Sequence, residues 1–399
     1  MSRIIGYVRS LSLVVPFEAF TRDIWLICIS NIIGAFGEGL YFWVFPLYIK
    51  TLQADYVQLG IVFSALYGAS ALVLIPGGLL ADRFDRKKIL ILSWTPWALS
   101  PLIYSFAQSW QHLIPGAICW GVSMLGVPAA NSYIIYSVVD KRKLSSVLAF
   151  VWSCYSFSYI FAPTAGSYLA TIVGMQWVLR LASMVTGVST AIFLLLHSQH
   201  PKKNNTKART PSPLTAKAKG SWRIMLLWSG LFAAATFFMS TTRPYVPTFL
   251  AEHAGLNEVY VGLFGSFSYA GMTFLGIAMG RLGDRWRKSG AMSICLLFYI
   301  ASVVPMLLTQ NIAILMFLAF IMGGSLVAGS LVSSYVGTIA PENKQGLWVS
   351  IPQTSSLLAA FAASYLGGYL YTQSAHNAFI VSASAIPFLV LLVLVMLRE

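Results

Sequence analysis

Gly78-Leu79-Leu80-Ala81-Asp82-Arg83-Phe84-Asp85-Arg86-Lys87-Lys88 packs six charged side chains directly behind a long apolar run. A near copy, Gly280-Arg281-Leu282-Gly283-Asp284-Arg285-Trp286-Arg287-Lys288, follows 202 residues later. At that offset Gly78 matches Gly280, Asp82 matches Asp284, Arg83 matches Arg285, and Phe84 faces Trp286. Upstream of the two loops, Gly60, Ser64 and Tyr67 match Gly262, Ser266 and Tyr269. Six identities at one fixed offset mark the chain as two copies of one half. Parallel repeats about an axis along the membrane normal are a recognised transporter plan.

The composition around these loops belongs to a membrane. Of 399 residues 57% are hydrophobic and 10% charged, and the mean hydropathy is +0.74; soluble domains carry roughly 25% charged residues. A spanning helix takes about 20 apolar residues. Runs bounded by charges or turn residues predict spans at 24–49, 56–80, 88–107, 113–138, 146–171 and 176–197, then 223–250, 258–282, 290–309, 312–339, 346–371 and 377–397. These runs are too continuous for the alternating strands of a barrel. The expectation is an all-α membrane protein of 12 transmembrane helices in two six-helix bundles. Residues 1–197 form the first bundle and 222–399 the second. The polar stretch 198–221, with Pro201, Pro211 and Pro213 among lysines and threonines, reads as a flexible linker.

Lysine and arginine placement gives the orientation. With the N-terminus cytoplasmic, 23 of the 26 basic residues fall in cytoplasmic segments. Lys50 alone lies outside, and Arg180 and Arg243 lie within spans. Both termini are therefore expected in the cytoplasm, with Met1 to Asp23 a cytoplasmic segment rather than a signal peptide. The net charge of +14 is explained by this bias, so no nucleic-acid partner is expected. Cys28, Cys119, Cys154 and Cys295 sit in apolar runs without metal-ligand spacing and read as small hydrophobes. No cofactor or metal is expected. Nor is an enzyme: no nucleophile triad, phosphate loop or H-E-x-x-H appears, and the five histidines fall in loops or at span ends.

The loop Gly78–Lys88 resembles the signature of the major facilitator superfamily, G-x-x-x-D-R-x-G-R-K-x, departing from it at Asp85, where the family has glycine. The second loop is a fair match, and Pro341-Glu342-Asn343-Lys344-Gln345-Gly346 is similar to the segment leading into the family's eleventh helix. The resemblance spans nearly the whole chain. It implies the family fold, with the two bundles related by pseudo-two-fold symmetry, and a secondary transporter of the plasma membrane, monomeric by default. It also implies a conformational latch of Gly78, Asp82, Arg83, Arg86, Gly280, Asp284 and Arg285 that ties neighbouring helices while the protein faces outward. Ala162-Pro163-Thr164-Ala165-Gly166-Ser167 resembles the antiporter element G-P-x-x-G-G, with alanine and serine at two glycine positions. The fourth-helix arginine of drug antiporters and the P-E-S-P-R element of sugar porters are missing.

Charges at membrane depth mark the candidate site. Glu38 is the one acidic residue near the middle of a span; a carboxylate there costs on the order of 3 kcal/mol and normally faces a cavity or relays protons. Helical spacing aligns Asn31, Gly34, Glu38, Tyr41 and Phe45. In the repeat-equivalent seventh span, Ser229, Ala233, Thr236, Ser240, Arg243 and Pro247 form a polar stripe. Ser240 corresponds to Glu38, and Arg243 is placed to pair with Glu38 or to hold an anionic substrate. Arg180, near a span end, is expected to snorkel. Asn131, Tyr133, Tyr136, Trp152, Tyr155, Tyr159, Tyr335 and Gln353 are further candidates for lining an amphipathic cavity. The leading expectation is proton-coupled export of lipophilic or cationic small molecules by alternating access, an antiporter of the multidrug-efflux kind. The alternative is proton-coupled uptake of a small organic anion or sugar, with Arg243 holding it.

Overall fold

A computed structural model describes residues 17–138, 140, 143–200, 215–340 and 345–397. Most of the expected linker, the Lys141–Arg142 pair, the Pro341–Lys344 segment and the outermost terminal charges lie outside the described residues. All regular structure described is helical. In chain order the α-helices are α1 (Arg22–Phe42), α2 (Phe45–Thr51), α3 (Tyr56–Ala81), α4 (Arg86–Ser105), α5 (Leu113–Ser123), α6 (Gly126–Ser137), α7 (Leu144–Ser158), α8 (Ala162–Val173) and α9 (Met175–Ile192). The second half follows with α10 (Thr215–Ser240), α11 (Val246–Glu252), α12 (Glu258–Arg285), α13 (Lys288–Met306), α14 (Ile312–Ser325), α15 (Ala328–Ile339), α16 (Gln345–Gln373) and α17 (Ala375–Met396).

The repeat read from the two charged loops holds for the elements themselves. Shifting α6 by 202 gives both ends of α15, and α3 and α12 begin 202 residues apart. Their caps repeat too: Asp55 accepts from the Gln58 N–H, and its counterpart Asn257 accepts from the Tyr260 N–H. Among the described residues ten helical stretches of at least 18 residues are apolar enough to cross a membrane. The spans expected at 88–107 and 346–371 are helical but not among these ten. They pack as α4 against α5 and α9, and as α16 against α3 and α10. Elsewhere Leu72, Leu308 and Phe388 turn outward and exposed, as a lipid-facing surface requires.

Several spans expected as single helices are broken. The first breaks at Trp43–Val44, where Pro46 follows at the start of α2; the fifth breaks ahead of Pro163, and the seventh ahead of Pro244 and Pro247. Proline removes a backbone donor and clashes with the preceding turn, so the helix stops and a new one starts with the proline in its first turn. The aligned face expected from Asn31 to Phe45 therefore ends within α1.

The two halves meet through small residues. On α3, Gly60 lies against the Ser364 backbone of α16, Gly68 against the Phe361 ring, and the Ser64 hydroxyl donates to the Phe361 carbonyl at 2.7 Å. On α12, Gly262 lies against Ser167 and Pro163 of α8, and Ser266 shares a 2.7 Å hydrogen bond with Thr164. Lipid supplies no hydrophobic drive between helices, so close approach and hydrogen bonds must hold them. Near the charged loops the pattern differs: a Cβ on Gly280 would meet nothing within 4 Å, and one on Gly78 only Pro128 of its own half.

Candidate functional site

Glu38 sits on α1, 2% exposed. The Trp120 indole N–H donates to one carboxyl oxygen at 2.9 Å, and the Tyr155 hydroxyl donates to the other at 2.6 Å. Trp97 and Tyr159 stand beside it. The carboxyl thus finds donors from α5 and α7, which offsets part of the cost of burying it. Tyr155 continues to Tyr159, whose hydroxyl is 3.3 Å away, and the Tyr159 ring lies 4.5 Å from the ring of Tyr269 on α12. The Arg243 guanidinium reaches the Tyr269 hydroxyl. A row of three tyrosines therefore links the acid in the first half to the cation in the second. Among the described residues Glu38 and Arg243 form no ion pair; the tyrosines stand between them.

Beyond Arg243 opens a cavity of about 220 Å³, room for about seven waters at roughly 30 Å³ each. Trp43 and Tyr67 close it from the first half; Phe232, Met239, Met322 and Leu326 give it apolar walls from the second. Arg243 lies in the break between α10 and α11. Its side chain is exposed while Thr241 and Thr242 before it are fully buried, so the charge faces open space. It is the only charged residue among those lining the cavity.

The other candidates are distributed unevenly. Ser240 lines the cavity. Tyr41 is buried against Tyr104 and Phe45, next to the acid's helix turn. Asn31 donates to the Val151 carbonyl, Asn131 accepts from the Trp152 indole, and Gln353 donates to Ser333; each ties two helices and none lines the cavity. Tyr335 stacks on Trp228 with ring centres 4.4 Å apart. Arg180 lies over Trp177 and Phe106. Nothing in the sequence singles out Trp97, Trp120 and Tyr299, because aromatics within apolar runs look like packing. The repeat offset is the available signal, since it pairs Trp97 with Tyr299.

The charged loops behave differently from the latch expected of them. Among the described residues neither Asp82 nor Asp284 has an ion-pair partner within 4.0 Å, and a Cβ on Gly78 or Gly280 beside them would meet no residue of the other half. Arg86 is buried, stacked over Tyr136 at 4.0 Å and bonded to Gln199. Asp85, the departure from the family pattern, is buried and accepts from the Lys87 and Gln199 N–H groups, each at 3.0 Å. It thereby fastens the chain leaving α9 to the start of α4. Nearby, Asp23 takes a bond from Tyr133 at 2.6 Å and lies 3.0 Å from the His197 ring. Burial pushes the Asp85 carboxyl up, but the Gln199 N–H, the Ser198 hydroxyl, the Lys87 N–H and the nearby His200 outweigh it and hold it below the usual carboxylate range. The stabilisation is then complete above the unfolded value of about 3.9 and is lost as pH falls through the lower folded value. Asp85→Asn is expected to lower the melting temperature at pH 7, and the gap from wild type should close when both are melted below pH 3. A gap unchanged across that range would refute the ionic role.

The family profile described as Major Facilitator Superfamily matches residues 27–264 and 227–399. The chain is 23% identical over 371 residues to Multidrug resistance protein 2 of Bacillus subtilis (strain 168), covering 90% of this chain and 91% of that protein. It is 26% identical over 381 residues to the Probable galactarate/D-glucarate transporter GarP of Escherichia coli (strain K12), covering 81% and 82%. Among solved structures, the nucleoside transporter NupG superposes with a TM-score of 0.75 at 12% identity, over 95% of this chain and all of that one.

Proposed function

The chain belongs to the major facilitator superfamily of transporters, and from that premise we propose that it is a proton-coupled secondary transporter that takes up a small organic anion by alternating access. Residues 1–197 and 222–399 act as two six-helix bundles, twelve spans in all, rocking about the cavity with both termini in the cytoplasm of a plasma-membrane monomer. The halves touch at the end bearing Tyr56 and Glu252, whose side chains are bonded at 2.8 Å, and at the arginine loops neither Gly78 nor Gly280 packs against the other half among the described residues. This supports an inward-facing state with the latch of Asp82, Arg83, Asp284 and Arg285 released.

The observation that carries the anion reading is the cavity charge: Arg243 faces it alone, while both oxygens of Glu38 are engaged by Trp120 and Tyr155 outside it. Charge balance then supplies the coupling. Ionised Glu38 with free Arg243 is neutral overall, and so is protonated Glu38 with an anion on Arg243. Loading either alone leaves an uncompensated charge inside the membrane, at a cost of several kcal/mol. Only the empty and the doubly loaded states cross readily, and proton and anion move together. One pH unit is worth 1.36 kcal/mol. Vesicles with purified protein and an interior one unit more alkaline are therefore expected to accumulate an organic monoanion that does not cross the bilayer as its neutral acid, such as benzenesulfonate, about tenfold, and protein-free vesicles none; no accumulation across a panel of such anions would refute the reading.

Export of lipophilic or cationic compounds is a second reading. The name of the Bacillus subtilis relative and the Ala162–Ser167 element support it: Gly166 of that element lies directly against the Leu40 backbone of α1, two residues from Glu38. It differs in its signature, because substrate and proton would compete and substrate binding would release protons.

A further inference from the structure

The repeat relates the Glu38 site to the Arg243 cavity residue by residue. Glu38, Tyr41, Trp97, Trp120 and Tyr155 correspond at the 202-residue offset to Ser240, Arg243, Tyr299, Met322 and Leu357. All five of the latter line the cavity. In the first half two indoles and a phenol crowd around the acid and fill the equivalent space. In the second, methionine stands for Trp120 and leucine for Tyr155, and the volume of those rings is left open. The charge is inverted as well: serine replaces the acid, and arginine appears one turn further along the chain.

Resting on the anion-transport reading above, we propose that this cavity is a site for a small apolar monoanion, a single carboxylate on an aromatic ring or short hydrocarbon, with Met322 and Leu357 as the residues that set its room. Arg243 holds the carboxylate. Tyr67, Thr236 and Ser240 line the same cavity and their hydroxyls have no hydrogen-bond partner among the described residues, so they are free for a ligand oxygen. Other hydroxyls on the wall are already spent within the protein: Ser325 donates to the Met322 carbonyl, Ser356 to the Gln353 carbonyl, and Thr242 shares a 2.6 Å bond with Tyr299. One cation neutralises one carboxylate, with these hydroxyls beside it. A second carboxylate would be buried without a counter-charge, and an unpaired buried charge is strongly disfavoured.

The test is calorimetric titration of the purified full-length protein in detergent with benzoate, phthalate, benzylammonium and benzyl alcohol. Benzoate should bind, with phthalate and benzylammonium at least tenfold weaker. Leu357→Tyr and Met322→Trp, which restore the rings of the other half, should weaken benzoate at least tenfold while keeping the wild-type melting temperature. Arg243→Gln should do the same, with Arg243→Lys partly restoring binding. Benzylammonium or phthalate binding as tightly as benzoate, or Leu357→Tyr binding benzoate like wild type, would overturn the proposal, as would failure of benzoate to bind. Separate failure of the transport reading is visible in the same samples: benzoate that binds with the expected specificity but takes up no proton from weak buffer leaves the site intact and removes the coupling.

Discussion

Replacing Glu38 by glutamine is expected to abolish benzenesulfonate accumulation driven by a pH gradient, from about tenfold at one pH unit to none, while benzoate still binds. Glutamine has the same shape and keeps an oxygen to accept from Tyr155, while its amide nitrogen faces the Trp120 indole and gives up that one bond. It cannot exchange a proton. The variant carries a permanently neutral group beside Arg243, so the anion-loaded protein is neutral and the empty one is not. Loaded carriers should then cross readily and empty ones slowly: exchange of labelled for unlabelled benzenesulfonate persists, net uptake falls, and neither responds to pH gradient. These rates are measured in vesicles with the same preparation. Retained pH-driven accumulation in Glu38→Gln would place the proton elsewhere.

The second large effect is expected at the glycines that let the halves close. A Cβ on Gly60 would run into the Ser364 carbonyl and stand 2.6 Å from the Tyr245 hydroxyl; one on Gly262 would run into Ser167 and stand 2.6 Å from the Pro163 carbonyl. The Ser364 and Pro163 carbonyls are backbone and cannot rotate away. Overpacking costs roughly 1–3 kcal/mol, and here the cost falls only on the conformation in which these surfaces touch. Gly60→Leu and Gly262→Leu should therefore reduce the population closed at this end by about 5- to 150-fold and stall transport. Spin labels on Asp55 and Glu258, across the closed end, should report longer distances in both variants. Wild-type distances with wild-type transport would show that the contact does not gate the cycle.

Gly60 and Gly262 are legible in the amino-acid sequence because the repeat singles them out, and the fold follows from the same offset together with the charge bias of the loops. Glu38 is legible because a carboxyl in an apolar run has no ordinary explanation. Its partners are not. Trp120 lies among apolar residues, where nothing local separates a hydrogen-bonding indole from a packing one. Asn131, Tyr335 and Gln353 mislead for the converse reason: inside a membrane a polar side chain serves helix–helix contact as readily as a substrate. The direct pairing of Glu38 with Arg243 fails on geometry. Proline breaks both repeat-equivalent helices near these residues, and the tyrosines of α7 and α12 fill the gap. Asp85 departs from the family loop pattern, and that departure becomes intelligible only through its bond to Gln199, more than a hundred residues away.

The central claim is that proton and anion load together, one on each half. Its most direct test is the pH change when benzoate is added to concentrated purified protein in weak buffer. Uptake of close to one proton per bound benzoate in wild type, and of none in Glu38→Gln at equal benzoate occupancy, is the predicted result. Proton release on binding would instead establish competition between substrate and proton, and would contradict the account.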